Sequence, residues 1–345
     1  MIKVAVVGCG HWGPNHIRNF NSLPGSRVDA VADYDKERLE HVREMYPELR
    51  CEQDYRLCIS DPNIDAIVVA TPISTHYEIV RESILAGKHV LCEKPLCKSS
   101  KQGEDLVQLA YTNERLLMVG HVFLFNAGLI KLKELLDTGN LGTLRYLSAS
   151  RTNLGPIRDD VNVAYDLCSH DISIFNWLLG NQPEIVSATG ASYVQPGVED
   201  VAFVSLRYPG NVLASIHASW LDPKKVRQIT VVGDRQMATW DDLQLTTPIA
   251  IYDKGASAAP DYKDYGEFYD DYGEFLRLSM WDRDIRLPKV RFEEPLKVQA
   301  RAFLKSLQDS QPELPDGTFG LRVVKVLEAI DTSMQQGGSP MQVSL

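Results

Sequence analysis

The chain has 345 residues, and at 44% hydrophobic and 24% charged it is composed like a folded globular protein, long enough for two domains with separate cores. A formal charge of −10, from 36 Lys and Arg against 46 Asp and Glu, argues against a surface that tracks nucleic-acid phosphates. The start MIKVAVVG is too short an apolar run for a signal-peptide core or a membrane span, so a cytoplasmic protein is expected, with neither nucleic acid nor membrane as partner.

Six cysteines without CxxC spacing read as reduced, mostly buried thiols, and eight scattered histidines without an HExxH pair give no support to a metal site. From Met1 to about Gly120, short apolar runs at Ile2–Val7, Val28–Ala32, Ala66–Ala70, His89–Cys92 and Leu117–Val119 read as strands buried on both faces. Stretches of helical period lie between them, at His16–Phe20, Lys36–Met45, His76–Ala86 and Lys101–Tyr111. This alternation predicts a doubly wound α/β sheet over residues 1–122.

After Asn126 the texture changes. A helical stretch at Leu129–Leu136 precedes longer, more alternating strand candidates at Thr143–Ser150, Glu184–Ala191, Val201–Tyr208, Val212–Trp220, Gln228–Val232 and Met237–Trp240, with a helix at Val163–Leu179 after the first of them. An α+β domain over residues 123–345, built on a large mixed or antiparallel sheet, is predicted. Ile251–Asp284 reads as a surface loop carrying the duplicate DYGEF at 264–268 and 271–275. Helices at Pro295–Leu307 and Leu321–Gln335 close the chain and are expected to pack back on the first domain.

Strand Ile2–Val7 runs into Gly8-Cys9-Gly10-His11-Trp12-Gly13, and a helical stretch follows. GxGxxG alone is a weak signal, but strand, turn and helix in that order make it a dinucleotide fingerprint. Gly8, Gly10 and Gly13 allow a tight turn and close approach of backbone to pyrophosphate, and the helix start offers free N–H groups. His11 and Trp12, inside the turn, are expected to line the phosphates or the nicotinamide. Twenty residues beyond Gly13, Asp33 ends the second strand, placed to accept hydrogen bonds from the adenosine ribose. Its charge favours NAD over NADP, although Lys36 and Arg38 can soften the repulsion of a 2′-phosphate.

Ala70-Thr71-Pro72 followed by His76, and AGKHVLCEKPL with Glu93-Lys94-Pro95 at the carboxyl end of a buried strand, stand where such sheets bind ligands. Asp166 and His170 in DLCSHDIS are four residues apart, so on a helix they share a face and can enter a cleft together. From spacing alone the simpler reading is a capping acid and a satisfied histidine.

Taken with the glycine fingerprint, these segments resemble the glucose-fructose oxidoreductase, inositol dehydrogenase and rhizopine-catabolism (Gfo/Idh/MocA) family. The resemblance is dense through GCGHWGPN, VATP, AGKHVLCEKPL and VGH and sparser afterwards, apart from DLCSHDIS, where Cys168-Ser169 replaces the small apolar residues or proline common there. It implies an NAD-dependent oxidoreductase with a Rossmann domain joined to an α+β domain whose open sheet mediates dimers or tetramers. Thr71, Pro72, His76, Glu93 and Lys94 would then border the cofactor. Lys94 would contact the nicotinamide ribose and the reacting hydroxyl, His170 would be the general base, and Asp166 would orient it or hold a neighbouring hydroxyl. An ammonium beside a hydroxyl stabilises developing alkoxide, and an imidazole with an ordinary pKa of about 6.5 suits proton abstraction. Tyr165 is read as a packing or substrate residue. His121 and Asn126, where the chain leaves the first domain, either border the nicotinamide or serve as buried structural polarity.

The segment from Arg151 to Asn162 lies between a strand and the Asp166 helix, so Arg151, Asn153, Arg158 and Asn162 are candidates for binding substrate. Arginines there can meet phosphate bidentately, or pair with the neighbouring aspartates as a solvated loop. RxNLGxxRxDVN before DLxxHDIS resembles family members acting on sugar nucleotides, including UDP-N-acetylglucosamine 3-dehydrogenases. That resemblance implies oxidation of a secondary hydroxyl, at C3, to a 3-keto sugar. An inositol 2-dehydrogenase-like or free-sugar dehydrogenase would use the same three residues. The alternative of another class is a non-catalytic NAD-binding regulator, against which the joint presence of Lys94, Asp166 and His170 speaks.

Overall fold

In the computed structural model, which describes residues 1–256, 280–309 and 315–344, six short strands form one parallel sheet. They are β1 (Ile2–Val7), β2 (Ser26–Ala32), β3 (Arg50–Glu52), β4 (Ala66–Val69), β5 (His89–Cys92) and β6 (Leu117–Val119), in the order β3-β2-β1-β4-β5-β6. Val4–Val7 of β1 and all of β4 are Val, Ala and Ile and are completely buried, as strands covered on both faces must be. The covers are helices α1 (Gly13–Ser22), α2 (Lys36–Met45), α3 (Arg56–Ile59), α4 (Ile73–Leu85) and α5 (Ser100–Thr112). The strand order reverses between β1 and β4, so their carboxyl ends open a crevice, and this is where a nucleotide binds in such a sheet.

A short 3-10 turn, Val122–Phe125, leads into α6 (Ala127–Asp137) and a mixed sheet of nine strands. Its members are β7 (Leu144–Leu154), β8 (Ile185–Ala191), β9 (Val201–Tyr208), β10 (Val212–Ser219), β11 (Leu221–Gly233), β12 (Met237–Asp241), β13 (Ile249–Ala256), β14 (Met280–Arg286) and β15 (Met341–Gln342). Pairing is antiparallel except between β7 and β10. Along β9, Ala202, Val204, Leu206 and Tyr208 are buried while Phe203, Ser205 and Arg207 are exposed. One face is therefore covered, by α6, α7 (Ser169–Leu179) and the last helix, α9 (Gly317–Gln335), and the other is open.

Helix α8 (Pro295–Asp309) packs Ala300, Phe303 and Leu304 among Val4, Ile17 and Phe20 of the first sheet's layer. Helix α9 spans both layers. Its Gly320 lies so near β6 that a Cβ there would stand 2.5 Å from a Val119 methyl.

The structure departs from the sequence expectation in several places. Strands β3, β13, β14 and β15 and the short α3 were not expected; β13 and β14 occupy the two ends of the segment read as a loop, and the DYGEF duplicate falls outside the described residues. β7 runs on to Leu154 and β11 starts at Leu221, so Arg151 and Asn153 are strand residues rather than loop. The expected helix Val163–Leu179 begins as a π-helical turn over Ala164–Cys168 before becoming α7, and such turns gather at functional sites. Among the described residues, no helix is long and apolar enough to cross a membrane and no group of His, Cys, Asp and Glu is placed to hold a metal ion. All six cysteines are free thiols.

Candidate active site

The glycine turn is shaped by close approaches that only glycine permits. Gly8 has φ +99°, and a Cβ there would lie 2.6 Å from the Ala70 carbonyl oxygen; a Cβ on Gly13 would lie 2.0 Å from the Gly8 oxygen. Gly10 is different, since a Cβ there would meet nothing nearer than Arg38 Nη1 at 3.6 Å, which leaves its backbone open to a ligand. Helix α1 follows with Pro14 at its start and no side-chain cap, so its first N–H groups remain available to an anion.

Asp33, buried at the end of β2, accepts the Cys9 N–H on Oδ2 at 2.7 Å and the Asp35 N–H on Oδ1 at 2.9 Å, with Arg38 Nη1 3.8 Å from Oδ2. The carboxylate thus braces the glycine turn while facing the cleft. Asp33→Asn keeps an acceptor and removes the charge; the preference for NAD over NADP, as a ratio of kcat/KM values, is expected to fall by about tenfold or more. An unchanged ratio would show that the carboxylate serves the turn alone.

Opposite the glycines, Pro72 precedes α4, and Thr75 Oγ1 lies 2.8 Å from both Thr71 Oγ1 and the Pro72 carbonyl oxygen. The buried His76 imidazole lies between two carbonyl oxygens, with Nε2 2.9 Å from Thr71 and Nδ1 2.9 Å from Pro95. It therefore ties the turn after β4 to the turn after β5, and burial holds its pKa below the usual histidine range. Glu93 meets His16 of α1 at 2.8 Å and also accepts the Lys94 N–H at 3.3 Å, a link between the glycine turn and the EKP turn that sequence reasoning missed. The Lys94–Pro95 peptide is cis.

The cleft between these turns encloses about 530 Å³. Of the cofactor residues expected from sequence, Gly8, Gly10, His11, Trp12, Asp33, Thr71, Pro72, His76, Glu93 and Lys94 line it, and Gly13 stands behind, holding α1 against β1. The open backbone at Gly10, the uncapped helix start and the facing carboxylate together fit a dinucleotide.

At the far end of the cleft Lys94 Nζ donates to the Asp166 carbonyl at 2.8 Å and to its Oδ1 at 3.3 Å. Asp166 also receives Arg158 Nη1 at 3.4 Å and Trp220 Nε1 at 3.3 Å. Burial alone would favour the neutral acid, but Lys94, Arg158 and Trp220 outweigh it and hold the carboxyl below the usual range. His170 stands outside the cleft lining at the start of α7, half-buried, with Nδ1 buried and without a hydrogen-bond partner. Burial, with Lys94, Arg151, His121 and Arg227 around it, holds its imidazole well below the usual histidine range. His121 is fully buried against Phe319, both its nitrogens are unpartnered, and burial beside Lys94 pushes its pKa down to about 3.

The four substrate candidates separate. Arg151 is 2% exposed and paired bidentately with Asp171, at 2.9 and 2.8 Å, so its guanidinium is already neutralised inside the protein rather than offered to the cleft. Asn153 donates to the nearby Gly155 carbonyl. Asn162 reaches away to Asp331 at 2.7 Å and Glu199 at 3.2 Å and caps the π-turn through the Tyr165 N–H. Arg158 alone lines the cleft, although Asp160 holds two of its nitrogens. Asn126 caps α6 and bonds Trp240 and Asp242, a structural role. Tyr165 lines the cleft and donates to the Lys98 carbonyl, and burial raises its phenol pKa. Trp220, which nothing in the sequence spacing connects to Asp166, was not foreseen.

A six-stranded parallel sheet with a glycine turn, an acid at the end of β2 and a lysine at the end of β5 defines an NAD-binding oxidoreductase. The chain belongs to the Gfo/Idh/MocA family: residues 2–121 match the NAD-binding Rossmann fold of that oxidoreductase family and residues 129–239 match the GFO/IDH/MocA C-terminal domain. It is similar to inositol 2-dehydrogenase 2 of Saccharopolyspora erythraea, 33% identical over 62% of this chain and 66% of the relative. It is also similar to UDP-N-acetylglucosamine 3-dehydrogenase of Acidithiobacillus ferrooxidans, 25% identical over 97% of this chain and 99% of the relative, whose solved structure superposes with a TM-score of 0.81 at 97% and 98% coverage. The WlbA dehydrogenase of Bordetella pertussis, solved with NADH and UDP-GlcNAcA, shares the fold at 20% identity and a TM-score of 0.80, with 100% of this chain and 99% of that one covered. The family and its curated relatives make the chain an NAD-binding oxidoreductase acting on a hydroxyl group of a sugar or polyol.

Proposed function

We propose that this enzyme oxidises a secondary hydroxyl of a nucleotide sugar, at C3 of the pyranose, to the 3-keto sugar. The observation that carries the reading is the Lys94–Asp166 contact in the cleft wall, with His170 one turn further along the same helical segment. NAD supplies the hydride acceptor when bound. Lys94 gives the substrate hydroxyl a fixed ammonium, Asp166 tethers that ammonium and accepts a neighbouring hydroxyl, and His170 takes the proton through Nε2. The substrate pocket then runs from Lys94 toward His170, with Arg158 on its wall.

Support for a nucleotide sugar is the near full-length match to the UDP-N-acetylglucosamine enzyme. The second reading, oxidation of an inositol, is favoured by the higher identity over a shorter span and by the engagement of Arg151 with Asp171, which leaves one fewer arginine for a diphosphate. The open face of the nine-stranded sheet, where Tyr146, Phe203 and Leu213 are about half exposed, is the proposed homodimer or homotetramer contact.

The test is NADH formation from UDP-N-acetylglucosamine, related UDP-sugars, myo-inositol and free hexoses, with a ketone trap to draw the equilibrium. Turnover of a UDP-sugar is expected; turnover of myo-inositol or hexoses alone would replace it with the second reading.

A further inference from the structure

Phe123 lies where the two sheets meet. It belongs to the 3-10 turn that leaves β6, yet its ring packs edge-on against the His170 imidazole, centroids 4.8 Å apart and planes at 81°. The Arg151 guanidinium lies over the Phe123 ring, 4.6 Å from its centroid, Arg227 stands 6.0 Å away, and Trp240 meets it edge-on at 6.0 Å. Arg151 and Arg227 are direct partners across the antiparallel β7–β11 pair, where like charges repel. Each has its own carboxylate, Asp171 at 2.8 Å and Asp242 at 3.1 Å, and the electron-rich ring attracts both cations. The ring is thus fixed by the sheet and the linker together.

We propose that Phe123 is a positioning residue for His170, holding the imidazole with Nδ1 inward and Nε2 toward the substrate; the inference rests on the reading of His170 as the base. Both ring nitrogens of His76 lie 2.9 Å from carbonyl oxygens, so whichever carries the proton has an acceptor, whereas His170 Nδ1 is buried with no such partner. What holds the His170 ring is the perpendicular aromatic contact, a favoured geometry whose face also accepts an N–H weakly. The base is therefore oriented by an aromatic ring in place of a carboxylate.

Phe123→Met keeps apolar bulk and removes the ring, and Phe123→Tyr keeps the ring. With UDP-N-acetylglucosamine or myo-inositol, whichever turns over, the methionine variant is expected to lose about tenfold or more in kcat, since small misplacements of a reacting group are costly. Its NAD affinity, read by fluorescence quenching, should be unchanged, and the tyrosine variant should keep most of the activity. The acidic limb of kcat/KM should move to higher pH in the methionine variant, because the imidazole is better hydrated while Lys94, Arg151, His121 and Arg227 still face it, with Asp166 and Asp171 nearby. Full kcat with an unshifted limb in Phe123→Met, or an equal loss in both variants, overturns the proposal, provided His170→Ala is inactive. An active His170→Ala overturns the assignment of the base instead.

Discussion

Replacing Lys94 with alanine is expected to lower kcat/KM by about 10²–10³-fold, the cost of losing one preorganised charge at a developing oxyanion. NAD affinity should change by no more than about tenfold, the worth of one charged hydrogen bond at its lower end. The asymmetry follows from the geometry. The glycine turn, the start of α1 and Asp33 lie at the other end of the cleft and do not depend on the lysine. Asp166 would keep Arg158 and Trp220 as partners, so the carboxylate is not left stranded in the variant. Steady-state kinetics beside an NAD titration separate the two quantities, and a Lys94→Ala enzyme with an unaltered rate would remove the ammonium from the mechanism.

His170→Ala is expected to cost about 10²–10⁴-fold in kcat, the range for a positioned general base, with substrate KM little changed. The pH dependence of the unmodified enzyme makes a sharper point. A base must be neutral to act, and burial among Lys94, Arg151, His121 and Arg227 lowers the pKa of His170. A lowered pKa keeps the ring neutral to lower pH, so kcat/KM should stay level as pH falls through the ordinary histidine range and drop only well below it. An acidic limb centred near the ordinary value, abolished in no variant but His170→Ala, would show that the imidazole is already hydrated in the free enzyme, whose titration kcat/KM reports.

The features that were legible in the sequence are those written in neighbouring residues. Gly8, Gly10 and Gly13 between a strand and a helix, Asp33 at a strand end and Lys94 before a proline each carry their signal within a few positions, and the buried runs of the first sheet are continuous enough to recognise. The sequence leaves Arg151 open between a phosphate and a neighbouring aspartate; the structure pairs it with Asp171, twenty residues away on another element, and charge in a sequence says nothing about which acid will neutralise it. The His16–Glu93 link and the Trp220–Asp166 bond join residues farther apart still. Strand β3 has only three residues, and β14, MWDRDIR, is an edge strand rich in charge, so neither shows an apolar period. The π-turn leaves the spacing of Asp166 and His170 untouched and so left no trace to read.

The return of α8 and α9 to the first sheet has a bearing on chimaeras. The Val119 N–H donates to the Pro315 carbonyl at 2.9 Å, Phe303 meets Phe20 edge-on at 6.1 Å, and Arg18 forms an ion pair with Glu294. A graft that moves only residues 1–122 onto a foreign substrate half would bare the β6 edge and the apolar layer beside α1 together. Transplanting this cofactor module needs the segment from about residue 294 through α9 to travel with it, and a further crossover after α9, because β15 pairs with β8 of the second sheet.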